Sequence, residues 1–102
     1  MSQASVRESG AGRLEIHGDL SFESVPLLWN RHREAFSRPG ALDIDLNHVE
    51  RSDSAGLALL LECLSQANET GTSIRFFNIP AQMLAIARVS GLDRILPLHR
   101  DS

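Results

Sequence analysis

The chain has 102 residues, 42% hydrophobic and 23% charged, with a formal net charge of −3, a length that fits one compact domain over residues 1–102 built around a single core. The acidic balance, with basic residues scattered apart from a loose Arg31, Arg33 and Arg38 group, excludes nucleic acid as an expected partner. One cysteine, Cys63, excludes an intrachain disulfide and any multi-cysteine zinc site.

From Gln3 to Glu8, Ala4 and Val6 alternate with polar neighbours. Ser9-Gly10-Ala11-Gly12 is turn chemistry, and Leu14 and Ile16 then alternate with Arg13, Glu15 and His17. The two runs predict an antiparallel hairpin whose second strand ends at Gly18. The period then becomes helical from Ser21 or Ser24 to about Ser37, with Val25, Leu28, Trp29, His32 and Phe36 on one stripe. Pro26 is tolerated only in the first turn, and Pro39-Gly40 stops the helix. On this stripe Trp29 reads as core packing and His32 as an inner-edge histidine, whereas Leu27 faces away with Asn30 and Glu34.

Leu42, Ile44 and Leu46 alternate with Asp43 and Asp45 and predict a third strand. Asp45 is expected to bond backbone at the strand end, and Asp43 to meet solvent. A second helix is predicted from Ser54 to about Asn68, with Leu57, Leu60, Leu61, Leu64 and Ala67 or Asn68 inward and Gly71 past its end. Ala55, Leu59, Glu62 and Gln66 then fall on the outer face, and Cys63 reads as a small, partly buried residue. Ile74 to Phe77 gives a fourth strand. Pro80 opens a third helix with Met83, Ile86, Ala87 and Ser90 inward, Leu84 off the core and Gly91 at the end. Ile95 to Leu98 either adds a last strand or docks on the core.

The predicted fold class is α/β: a mixed, mostly parallel sheet with an antiparallel N-terminal hairpin and three packing helices. Met1 to Gly12 lacks the apolar run of a signal peptide, and the longest apolar stretch, Leu57 to Leu61, is far short of a membrane span. A cytoplasmic protein is expected.

The most informative stretch runs from Leu42 to Leu57: a strand, a short loop, then Asp53-Ser54-Ala55-Gly56-Leu57 opening a helix. Asp53 and Ser54 suit a helix start, because their oxygens accept bonds from unpaired amides at the positive end of the macrodipole. Gly56, lacking a Cβ, leaves the backbone open to close approach by a partner or a phosphate.

This stretch resembles the signature of STAS domains, found in anti-anti-sigma factors and in the C-terminal parts of anion transporters. The Asp-Leu-x-x-Val-x-x-x-Asp-Ser-x-Gly-Leu pattern is specific, whereas Ile16-His17-Gly18-Asp19-Leu20 matches the family only loosely. Ser52 stands where an apolar residue is usual, and is expected to loosen local packing. Val25 to Glu34 and Gly56 to Leu61 are similar to the small STAS subunit of bacterial phospholipid-transport ABC complexes. The resemblance implies a non-catalytic module with no cofactor and no metal, which binds an ABC-transporter ATPase or an anti-sigma kinase. Any membrane association is indirect, through a complex at the inner face of the inner membrane.

The implied partner-binding residues are Asp53, Ser54, Ala55, Gly56 and Leu59. Ser54 matches the serine that the partner kinase phosphorylates in anti-anti-sigma factors. By local sequence alone Ser54 is a helix cap. It lacks a catalytic histidine or second carboxylate placed by spacing, so it does not read as a nucleophile. His17, His48 and His99 show no metal-ligand spacing.

Overall fold

The computed structural model describes residues 3–100. The elements follow in the order β1 (Ser5–Gly10), β2 (Arg13–Leu20), α1 (Ser24–His32), β3 (Gly40–Ser52), α2 (Ser54–Thr70), β4 (Thr72–Phe77), α3 (Ala81–Ser90) and β5 (Leu98–His99). The strands lie side by side in that same order. β1 and β2 are antiparallel; every later pairing is parallel, because each connection carries a helix. The predicted fold class is the observed one.

Leu14, Ile16, Leu20, Leu42, Ile44, Leu46, Val49, Ile74 and Phe76 bury one face of the sheet in a common core with Leu28 of α1, Leu60 and Cys63 of α2 and Met83 and Ala87 of α3. The other face carries Arg13, Glu15, His17, Asp43, Asp45, His48 and Arg75, alternating with those inward residues. Asp43 is not simply solvated: its two oxygens accept a fork of bonds from Arg75, each 2.9 Å.

Three elements depart from the sequence reading. The first helix ends at His32 and continues as a 3₁₀ turn, Arg33–Phe36, which brings Phe36 to full burial and stacks it on half-buried Trp29 at 5.8 Å. β2 does not end at Gly18. There φ is +91°, the strand shifts register, and a Cβ would overlap the Gln3 carbonyl.

β3 is also longer than its apolar alternation, running on to Ser52. Glu15 pairs with Asp45 but His17 pairs with His48, so β3 holds one extra residue there. This bulge restarts the alternation one position late, leaving His48 outward and Val49 inward, and a second shift opposite Gly18 and Asp19 then brings Ser52 inward. Asp45 braces it by accepting the Asn47 N–H at 3.0 Å, the Asn78 amide at 3.1 Å and an ion pair from Arg13 at 3.4 Å. Burial alone would raise its carboxyl, but these donors and the Arg13 charge hold it below the ordinary range.

The last segment both docks and pairs. Leu96 is buried, and Leu98 and His99 form a two-residue strand beside Phe76 and Phe77. No helix among the described residues is long and apolar enough to cross a membrane.

Candidate docking site

The candidate site is built where β2 and β3 end and α2 begins. Leu20 pairs with Ser52, and the Asp53 N–H donates to the Leu20 carbonyl at 3.1 Å, so the β2–α1 turn and the start of α2 are joined. Asp53 has extended backbone and caps α2 in the predicted way: its Oδ1 accepts the Ala55 N–H at 2.8 Å. Asp53 and Ser54 are both exposed. Asp53 lines a shallow groove with Asp19, Leu20, Ser21, Arg51, Ser52 and Gln82, of about 520 Å³. Phe22, 71% exposed, stands in the adjoining turn.

The rest of the predicted partner-binding set is placed differently. Leu59 is 1% exposed and belongs to the core, and Ala55 and Gly56 are also buried. Leu59 is therefore no surface residue. α2 buries Ala55, Gly56, Leu57, Leu59, Leu60, Cys63 and Ala67, so Leu57, Leu60 and Ala67 are inward as expected while the face is turned toward Leu59 and Cys63. Leu61 and Leu64 are only half-buried, while Ala58, Glu62 and Ser65 face outward after Ser54.

Gly56 sets this rotation. A Cβ there would overlap the Ser52 Oγ and come within 3.2 Å of the Met83 Cε. The missing side chain thus admits the protein's own residues, not a partner or a phosphate. Ser52, too, does not loosen the packing: it is buried, and its hydroxyl donates to the Asp53 carbonyl at 2.9 Å. Cys63 is fully buried, which drives its thiol pKa far up. Leu84 packs half-buried against the core, whereas Leu27 is exposed as expected.

A second group of polar side chains is assembled only in part by local spacing. On the sheet face away from the helices, His17 Nε2 lies 2.9 Å from Glu15 Oε1, and His48 Nε2 lies 3.8 Å from Glu15 Oε2. The two imidazoles stack parallel, 4.4 Å between centroids. Arg13 and Arg75 each sit 5.1 Å from the Phe77 ring, on which His99 also stacks.

A family described as Mlab, STAS domain, matches residues 4–97. The chain belongs to the STAS family. This STAS domain is 30% identical over 79 residues to the intermembrane phospholipid transport system binding protein MlaB of Escherichia coli (strain K12), covering 78% of this chain and 79% of that one. The MlaB protein of Shigella flexneri matches to the same extent. Among solved structures, the anti-sigma factor antagonist SpoIIAA in its unphosphorylated form matches with a TM-score of 0.72 at 13% identity, over 97% of this chain and 88% of that one. An anti-sigma factor antagonist from Mycobacterium paratuberculosis matches with a TM-score of 0.69 at 26% identity, over 97% and 86%. These relatives are named for binding or antagonism, and none of the names is that of a catalyst.

Proposed function

We propose that this STAS domain is a non-catalytic accessory subunit that docks on the ATPase of a bacterial phospholipid-transport ABC complex. It works from the cytoplasmic side and reaches the membrane only through that complex. The observation that carries this reading is the exposed Asp53–Ser54 start of α2, in a chain 30% identical to a phospholipid transport system binding protein. The docking face comprises Asp53, Ser54, Ala58 and Glu62, with Asp19 from the end of β2 and Phe22 from the adjoining turn. Ala55, Gly56 and Leu59 hold that face from inside. The domain supplies no group to ATP hydrolysis; it favours the ATPase conformation to which its surface is complementary.

Anti-sigma factor antagonists share the fold, and one of them is 26% identical to this chain, which supports a second reading. There the partner is an anti-sigma kinase that phosphorylates Ser54. A phosphoserine would place about −1.5 to −2 charges beside Asp53 and end the complex.

Affinity capture from the native host, with wild type and Ser54→Glu side by side, separates the two. The expected result is recovery of an ABC ATPase by wild type and at least about ten-fold less by the variant, a loss of about 1.4 kcal/mol. Recovery of a kinase in its place, with phosphate on Ser54, establishes the second reading. Equal recovery by both chains removes the start of α2 from the interface.

A further inference from the structure

We propose that Glu15, His17 and His48 form a binding site for one divalent transition-metal ion of the zinc type, on the helix-free face of the sheet. Two features of the backbone build it. Glu15 and His17 are alternate residues of β2, so both project from the same face. The extra residue in β3 brings His48, in place of Asn47, beside His17. Without the bulge the second imidazole would point into the core side of the sheet.

The donor atoms of the three side chains all lie within 4.8 Å of one another. An ion with bonds of about 2.0–2.2 Å in tetrahedral geometry holds its ligand atoms roughly 3.3–3.5 Å apart. The distances of 2.9 Å and 3.8 Å from the Glu15 oxygens to the two Nε2 atoms fall on either side of that spacing. The two rings stack in parallel planes, so one imidazole must turn out of the stack to aim its Nε2 at a shared ion, and the His48 side chain, 43% exposed, has room to do so. Water or a partner's side chain takes the remaining position.

The donor set also fixes the class of ion. Imidazole nitrogen suits zinc, copper and nickel, whereas magnesium and calcium take oxygen ligands. The local charge is compatible with a cation: Arg13, on the same face, is drawn to Asp45 and Phe77. This site stands apart from the docking face on α2, so the two proposals succeed or fail separately.

Isothermal titration of tag-free, chelator-stripped protein with zinc chloride tests it, with magnesium chloride as the control. The expected result is one zinc ion per chain, no saturable magnesium binding, and at least about ten-fold weaker zinc binding by Glu15→Gln and by His48→Gln. Zinc should also raise the Tm of wild type but not of His48→Gln, by linkage. His48 is exposed, so that variant keeps the fold, checked by circular dichroism. Absence of saturable zinc binding by wild type overturns the proposal. So does zinc affinity unchanged in both variants, which would place the ion elsewhere and leave Glu15 and His17 as an ion pair only.

Discussion

Gly56 lies against Ser52 so closely that the Ser52 hydroxyl occupies the space a Gly56 side chain would need. The first turn of α2 is thereby pressed onto the end of β3 and onto Met83 of α3. Gly56→Ala is expected to destabilise the fold by about 1–3 kcal/mol, the usual cost of overpacking. Ser52→Ala in the same chain should return part of that loss, because it removes the clashing oxygen. Chemical denaturation of the two single variants and the double variant reads this as a non-additive cycle. Strict additivity would show that the two side chains do not compete for space.

Leu59 and Ala58 are neighbours in sequence with opposite fates, one in the core and one in solvent. Leu59→Ala should cost about 2–5 kcal/mol through the cavity it leaves. Ala58→Asp should change stability by no more than about 0.5 kcal/mol, while lowering affinity for the partner. Thermal melts and a binding titration on both variants check the pair of expectations.

The two tasks assigned to Asp53, capping the helix and facing a partner, come apart by substitution. Asp53→Asn keeps an oxygen for the Ala55 N–H and should retain stability, whereas Asp53→Ala should lose about 1 kcal/mol. If the carboxylate charge matters to the partner, both variants bind more weakly. If only the cap matters, Asn binds as Asp does.

Asp45 should make the fold sensitive to acid. Its carboxyl is held below the ordinary value of 3.8 by Asn47, Asn78 and Arg13, against the opposing effect of burial. A carboxyl lowered on folding adds stability above the unfolded value. That stability is lost as pH falls through the folded one. Wild type and Asp45→Asn should therefore differ by a constant amount near neutral pH, and the gap should narrow below about pH 4. Stability curves measured across that range are the check.

Local chemistry made much of this architecture readable. Asp53 announced the start of α2 because an N-cap works through its own nearest amides, and Gly71 announced its end by adopting φ +73°. The rotation of α2 was not readable. Leu57, Leu59, Leu60 and Leu61 offer apolar groups all round one turn, so the phase is decided by the small residues Gly56 and Cys63 against Ser52 and the core. The far half of β3 was hidden for a different reason. Asn47, His48, Glu50 and Arg51 are polar because that stretch has one solvated face, and the bulge depends on partners such as Asn78, distant in the chain. Glu15 and His17 meet by the alternation of β2, but His48 joins them only through that register, so no local spacing could announce the three together.

Cys63 gives the molecule a built-in clock. Its sulfur is sealed beneath α2, so a thiol reagent can reach it only when that helix lifts from the sheet. The rate of modification under native conditions therefore reports the free energy of that opening, and anything gripping the outer side of α2 should slow it.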